Sequence, residues 1–308
     1  LNGKETKQLC KNSHTVFDFH EMRGMMNITI YSKWFLCELR ELASRSLISR
    51  NTTNNDGRFS STTHTTNPRL VVFRCIKVFS QSMNKSNVIS SWSGGKDSCL
   101  ACYKAMLEGY NVCYLVNTIS EEYKRVRFHG TESRIIQAQA KAIGIPVLQR
   151  ETSGDNYERD FKEGVRNLIS NKNVSAMVFG DIHLQSCLEW VEKICKELGI
   201  KAIEPLWQRP TKEILLDFID NDFEAYVVSC QADLLDKKFI GQKLDRKFLE
   251  DISKLGIDVC GENGEYHTLV TDGPIFKQRI KLLESQKVLR DGYWFLDIRK
   301  YIVENTKN

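Results

Sequence analysis

The sequence has no run of about 18 uninterrupted apolar residues, which argues against a membrane-spanning helix. Proline is scarce, at 5 of 308 residues, and 18 glycines are too few for a collagenous or other low-complexity chain. The formal charge of +5 arises in residues 1–86, which hold 13 Lys and Arg against 6 Asp and Glu. The remaining residues are slightly acidic, so we expect no direct contact with nucleic acid.

Residues 1–82 differ in composition from the rest of the chain. Twelve of the 17 residues from 51 to 67 are Ser, Thr or Asn, and such a tract buries too little apolar surface to offset its ordering entropy. We therefore expect an extension that is disordered or not native to the protein. Arginines and serines at 40–50 leave a transit peptide as the alternative, although several acidic residues count against it.

The ten cysteines show no second closely spaced pair of the kind that a zinc or iron–sulfur site needs. Most lie in apolar runs, which is typical of reduced thiols in a cytoplasmic protein. Cys99 and Cys102 form a Cys-x-x-Cys inside a predicted helix. Their helical spacing with Ala105 favours packing over redox or sulfur-transfer chemistry.

From Asn87 onward, apolar runs alternate with helical patterns, which favours a doubly wound, mostly parallel α/β sheet. The predicted strands are 88–91, 112–117, 146–149, 176–179 and 202–204, and the predicted helices are 97–108, 131–143, 156–170 and 189–198. After Pro205 the rhythm changes, with helices at 211–220 and 246–254 and extended segments at 225–229, 266–270, 275–283 and 294–298. The sequence therefore predicts a domain at 84–205 and a smaller α/β domain at 206–308.

The sharpest signal is Ser93-Gly94-Gly95-Lys96-Asp97-Ser98, which we call the phosphate loop; it lies between a predicted strand and a predicted helix. Glycines let a backbone approach an anion closely, and N–H groups at a helix start point at negative charge. Lys96 adds a positive charge, and Asp97 suits Mg²⁺. The spacing is neither Walker A nor the dinucleotide fingerprint. It resembles the loop of the ATP pyrophosphatases, which cleave ATP between the α and β phosphates; a solvated turn is the alternative.

Polar residues also follow other predicted strands. His129, Gly180, Asp181 and His183 lie where ligands bind in a doubly wound sheet, beyond the carboxyl ends of the strands. We expect His129, Gly180 and Asp181 to face the nucleotide, with simple loop positions as the alternative.

A second cluster of side chains able to take part in catalysis lies in the segment 260–270, which we call the acidic turn. It carries Glu262, Glu265, Tyr266, His267 and Thr268 around an Asn-Gly turn. These carboxylates suit an ammonium ion or a cationic substrate group, and Tyr266 or Trp207 suits stacking on a quaternary ammonium. A polar hairpin tip is the alternative.

Five segments together resemble the diphthine–ammonia ligase family over roughly residues 84–300: the phosphate loop, 128–130, 180–182, 204–207 and the acidic turn. The resemblance implies an ATP-binding domain of the HUP-like, adenine nucleotide alpha hydrolase type, followed by a C-terminal substrate domain. It also implies that ATP adenylates the carboxylate of diphthine on elongation factor 2, and that ammonia then displaces AMP.

The resemblance further implies roles for individual residues. Lys96 and Mg²⁺ would neutralise the departing pyrophosphate, and Glu262, Glu265 or His267 would collect ammonium and remove a proton. Three alternatives stay open: amidation of another small carboxylate, tRNA thiolation, and a nucleotide-binding regulator without catalysis. The sequence also leaves open whether the chain forms a homo-oligomer.

Overall fold

Short β-branched runs and amphipathic helices alternate through the first half of the structure. The computed structural model describes residues 86–123, 125–126 and 130–305, so the expectations for residues 1–82 and for His129 lie outside the described residues. The first elements are β1 (Asn87–Ser91), α1 (Lys96–Leu107), β2 (Asn111–Ser120), α2 (Ser133–Ile143), β3 (Val147–Thr152), α3 (Tyr157–Lys172), β4 (Val174–Val178), α4 (Gln185–Leu198) and β5 (Lys201–Ile203).

These five strands form one parallel sheet in the order β3-β2-β1-β4-β5. The central strand β1 is buried on both faces, since Val88 and Ile89 are both fully inaccessible. Strands β2 and β3 lie on one side of β1, and the chain then crosses to the other side of β1, where β4 and β5 lie. Ligands of such sheets bind beyond the carboxyl ends of the strands at this reversal. The predicted doubly wound, HUP-like α/β fold is confirmed.

The second half begins with α5 (Thr211–Asp220) and continues with β6 (Glu224–Gln231), α6 (Arg246–Ile252), β7 (Tyr266–Asp272), β8 (Gln278–Arg290) and β9 (Tyr293–Asn305). Its four strands form an antiparallel sheet in the order β7-β6-β9-β8. The described residues contain no helix that is long and apolar enough to cross a membrane.

The β8–β9 hairpin is longer than the sequence pattern indicated, with 13 residues in each strand. Its two-residue turn is Asp291-Gly292, with φ values of 48° and 78°. Positive φ at both positions is what a tight hairpin turn requires. Much of the hairpin is exposed on both faces, so it lacks the alternation of buried and polar residues by which a strand is recognised.

The two sheets lie within one compact unit, and helix α2 packs against strands of both. Its residue Ile135 belongs to a buried cluster with Val228, Leu269 and Ile298 of the antiparallel sheet. On the far side of the parallel sheet, Ile89 and Met177 pack against residues of α3 and α4. This arrangement brings strand β7 of the second sheet to the phosphate loop of the first.

Candidate functional site

The phosphate loop follows β1 and starts helix α1, and its glycine geometry is built into the fold. Gly94 has φ +81°, and a Cβ there would lie 2.5 Å from Gln139 Oε1. Only glycine fits without displacing that side chain. Two serines also make contacts within the loop. Ser93 Oγ lies 3.1 Å from Ser98 Oγ and accepts the Gly95 N–H at 3.2 Å.

Gly180 allows the end of β4 to approach the start of α1. A Cβ at Gly180 would lie 2.8 Å from both the Asp97 carbonyl carbon and the Ser98 nitrogen. Since both atoms belong to backbone, neither can yield as a flexible side chain would. The glycine therefore sets the position of the loop whatever contact it makes with a nucleotide.

Lys96 is buried between the loop and the acidic turn. The residue is 3% exposed, and its Nζ donates to Asp97 Oδ2 at 2.7 Å and to the Cys260 carbonyl. The ammonium also lies 5.2 Å from the centre of the Tyr266 ring. Burial acts to lower the pKa of Lys96, but the Asp97 carboxylate and its other neighbours outweigh burial and hold the pKa above its ordinary value. Lys96 therefore ties the loop to the acidic turn, and the expected contact with pyrophosphate requires its side chain to change partners.

Strand β7 completes the loop from the other sheet. The buried Thr268 Oγ1 accepts the Lys96 backbone N–H at 2.9 Å, and Val270 N donates to the Gly94 carbonyl at 3.0 Å. The Thr268 hydroxyl contacts the loop, and its predicted role as a substrate contact stays a prediction. A C-terminal strand thus holds the backbone of an N-terminal loop.

Gln139 of α2 is a residue that sequence reasoning missed. It is fully buried, its Oε1 accepts the Trp92 indole N–H at 3.1 Å, and its Nε2 donates to the carbonyls of Gly94 and Val270. A buried glutamine on an otherwise apolar helix face was the available signal, because such an amide must find partners.

Within the acidic turn, Glu265 and Tyr266 are buried and make contacts inside the turn, and their role as substrate contacts stays a prediction. Glu265 is 5% exposed, and its carboxylate accepts the backbone N–H groups of Asp258 and Asn263 at 3.2 and 3.0 Å. Tyr266 is 1% exposed and donates its hydroxyl proton to the Val259 carbonyl at 2.6 Å. A substrate reaches either group only if the turn opens.

Four carboxylates gather beside the loop: Asp97, Asp181, Glu204 and Glu262, which we call the acidic edge. Glu262 Oε1 accepts the Ile182 N–H at 2.9 Å, which fixes it beside the end of β4. Burial raises the pKa of Glu262 to about 7, and Asp97 and Asp181 add to the rise. Burial, with Asp181, also raises the pKa of Glu204 to about 7. Two carboxyl groups can therefore exchange protons near neutral pH, and together the four suit a cation.

Two family models match the chain. They are the N-terminal domain of diphthamide synthase, over residues 86–202, and its C-terminal domain, over residues 210–303. The chain belongs to the diphthamide synthase family. The family that the sequence motifs indicated is thereby confirmed.

Curated relatives of this family member are named diphthine–ammonia ligase. The rat protein is 27% identical over 230 residues, which cover 67% of this chain and 86% of the relative. The human protein is 28% identical over 231 residues, with the same two coverages of 67% and 86%. The Schizosaccharomyces pombe protein is 29% identical over 222 residues, which cover 65% of this chain and 37% of that longer relative.

Other predicted residues of this family member lie nearer the surface. His183 is exposed, and His267 is half-buried opposite Ser229 in the β6–β7 register. Trp207 is half-buried in a turn, where its backbone N–H donates to the Glu204 carbonyl at 3.2 Å. Glu204 follows β5 directly and so lies beyond the carboxyl end of a parallel strand, where ligands of such sheets bind.

The two cysteines of α1 are buried in this family member. Cys99 and Cys102 are both fully inaccessible, and burial raises the pKa of Cys102 to about 12. A thiol must be a thiolate to act as a nucleophile. The packing interpretation agrees with this burial.

The described side chains fit Mg²⁺ only if a bound ligand supplies further oxygen atoms to the ion. The described residues contain no group of three or more His, Cys, Asp or Glu side chains arranged to hold a metal. Asp97 Oδ1 is nevertheless buried and has no hydrogen-bond partner among them. One free carboxylate oxygen fits Mg²⁺ that takes its other ligands from phosphate and water.

Proposed function

We propose that this chain is an ATP-dependent ligase that converts diphthine on elongation factor 2 to diphthamide. The acceptor carboxylate attacks the α-phosphorus of ATP and pyrophosphate leaves. Ammonia then attacks the acyl carbon and AMP leaves with the electron pair of the broken bond. The observation that carries the proposal is the acidic edge beside a phosphate loop, since the reaction needs an anion site and an ammonium site side by side.

The anion site is the phosphate loop. The helix dipole of α1 and the N–H groups at its start favour negative charge, and the hydroxyls of Ser93 and Ser98 lie within the loop. Asp97 would hold Mg²⁺ through its free oxygen, and the ion would supply charge neutralisation on the phosphates.

The ammonium site is the part of the acidic edge that Asp181, Glu204 and Glu262 form. Ammonium must lose a proton before it can act as a nucleophile, and a carboxylate with an ordinary pKa is too weak a base at neutral pH. Glu262 and Glu204, whose pKa values are both about 7, are matched to that task. Glu262 is the better candidate because its hydrogen bond to Ile182 N orients it.

The test replaces Glu262 by Gln, which keeps the oxygen that accepts the Ile182 N–H and removes the charge and the base. Loss of one charge-assisted contact should raise the KM for ammonium about 10-fold or more. Amide formation by the wild type should rise as pH increases through about 7, because Glu262 ionises there. The variant should lose this rise and keep its rate of pyrophosphate release.

Glu250→Gln is the matched control, since Glu250 is exposed on α6, outside the acidic edge. If both variants show the wild-type pH profile and ammonium KM, Glu262 is not the base. If diphthine-bearing elongation factor 2 gives no amide with the wild type, the substrate assignment fails.

The thiolation alternative has less support, because it needs a reactive thiol and both cysteines of α1 are fully buried. A cytoplasmic location follows from the proposed substrate, since elongation factor 2 works where translation takes place.

A further inference from the structure

Asp258, two residues before the acidic turn, is half-buried and bonds to the turn through both its side chain and its backbone. Its Oδ1 accepts the backbone N–H groups of Cys260 and Glu262, at 2.8 and 3.3 Å. Its own backbone N–H donates to Glu265 Oε1 at 3.2 Å, and its carbonyl accepts the Gly261 N–H at 3.0 Å. One residue outside the turn therefore determines much of the backbone path inside it.

The two residues whose N–H groups Asp258 accepts are also the two that connect the turn to the parallel-sheet domain. The Cys260 carbonyl accepts a bond from Lys96 Nζ. The Glu262 carboxylate accepts the Ile182 N–H at 2.9 Å, just beyond the end of β4. Asp258 thus acts on the backbone from which both connections extend.

The two connections differ in how else they are held. The Cys260 thiol donates to the Thr211 carbonyl at 3.1 Å, which anchors that residue independently. The Glu262 N–H bonds to Asp258 alone among the described contacts. A glutamate side chain has several rotatable bonds, so one hydrogen bond from its carboxylate places it only if its backbone is fixed. Loss of the Asp258 carboxylate should therefore displace Glu262 more than Cys260.

We propose that Asp258 is a positioning residue for the ammonium site, because its carboxylate oxygen fixes the backbone of Glu262 and so holds the Glu262 carboxylate beside the end of β4. The inference rests on the proposed function, in which Glu262 collects and deprotonates ammonium. Asp258 itself contacts neither ammonium nor the acceptor, and its effect passes through Glu262.

A single oxygen of Asp258 accepts both N–H groups, which allows its geometry to be separated from its charge. An asparagine has one side-chain oxygen that can accept the same two bonds. Asp258→Asn should therefore behave like the wild type, whereas Asp258→Ala removes the acceptor altogether.

The direct test measures amide hydrogen exchange in the full chain by NMR, without any substrate. In Asp258→Ala the Ile182 N–H should exchange about 10-fold or more faster, since it loses a hydrogen bond to a charged group. The reference is the buried Phe179 N–H, which donates to the Ile203 carbonyl at 2.9 Å and should keep its rate. Equal acceleration of both amides, no acceleration of the Ile182 amide, or an Asn variant that behaves like Ala would each overturn the inference.

A kinetic test connects the position of Glu262 to ammonium. With diphthine-bearing elongation factor 2 and ATP, Asp258→Ala should raise the KM for ammonium about 10-fold. The KM for ATP should not change, because the phosphate loop keeps its bonds from Thr268 and Val270. In a Glu262→Gln background, Asp258→Ala should raise the ammonium KM no further, and a further rise there would overturn the inference.

These measurements separate the inference from the proposed function. If Glu262→Gln raises the ammonium KM and Asp258→Ala does not, the inference is wrong and the proposed function stands. If Glu262→Gln has no effect on that KM, the proposed role of Glu262 is wrong, and the exchange of the Ile182 N–H still decides whether Asp258 positions Glu262.

Asp272→Ala is the matched control, because Asp272 Oδ1 also accepts a backbone N–H, that of Gly273, at 2.8 Å. Asp272 ends β7, six residues or about 20 Å from the end that joins the acidic turn. This variant should change neither the exchange of the Ile182 N–H nor the ammonium KM. If Asp258→Ala does not fold, Asp258→Ser takes its place in every comparison, since a serine hydroxyl bonds its own turn only weakly.

Discussion

Replacing Gln139 by Met removes the amide that joins the phosphate loop to both sheets, while keeping a side chain of similar length. Trp92 is 1% exposed, so its indole N–H would be left buried without its partner, at a cost of about 1–3 kcal/mol. The two bonds from Nε2 to the carbonyls of Gly94 and Val270 would also be lost, but Gly94 O keeps the bond from Val270 N. We expect a total loss of about 2–4 kcal/mol in the free energy of unfolding.

For a domain of this size, that loss lowers the Tm by about 4–16 °C, at roughly 2–4 °C per kcal/mol. ATP affinity should fall as well, because Gln139 fixes the Gly94 carbonyl and with it the backbone of the loop whose N–H groups form the proposed anion site. The assays are calorimetric melting and isothermal titration with ATP.

Gln137→Met is the control for this variant. Gln137 lies on the same helix but is exposed, and its amide bonds only to Gln149, at 2.7 Å, among the contacts the structure describes. If the two variants melt within about 1 °C of each other and bind ATP equally, Gln139 does not stabilise the loop and our reasoning is refuted.

Three further predictions concern single features of the site. Gly180→Ala should abolish ATP binding with helical content retained, because its Cβ would lie 2.8 Å from backbone atoms of Asp97 and Ser98; titration with ATP and circular dichroism check this, and normal ATP affinity would count against it. Glu265→Gln places an amide opposite backbone N–H groups, so melting should show a loss of about 1–3 kcal/mol, and an unchanged Tm would mean that the turn does not depend on the carboxylate. Changing Cys99 and Cys102 together to Ala should leave amide formation per folded molecule near the wild-type value, and a folded but inactive variant would revive thiol chemistry.

The sequence predicted the fold well wherever a local pattern of residues determines the local secondary structure. The alternation of apolar runs and amphipathic helices yields the parallel sheet, and the predicted helix at 211–220 coincides with α5. Gly144 ends α2 with φ +81°, as a C-terminal glycine is expected to do. The phosphate loop lies between strand and helix as its glycines required.

The partners of the site residues could not be predicted in this way, because they are distant in the chain. Lys96 N meets Thr268 across 172 positions, and Gln139 meets Val270 across 131. The residue types of the acidic turn indicate that Glu265 is a substrate carboxylate. Whether a carboxylate faces solvent or its own turn depends on backbone geometry, which residue types do not encode. Lys96 has one partner beside it in the chain, the Asp97 carboxylate, and one partner 164 positions away, the Cys260 carbonyl, which the residue types do not indicate.

Because β7 holds the phosphate loop, the loop can be completed only after the ribosome has synthesised β7. Thr268 is synthesised 172 residues after Lys96, which at about 5–20 residues per second is a delay of about 9–34 s. During that interval the loop exists without the strand that holds it. We therefore expect a nascent chain that stops before β7 to bind ATP more weakly than the finished chain, because its phosphate loop lacks the bonds from Thr268 and Val270.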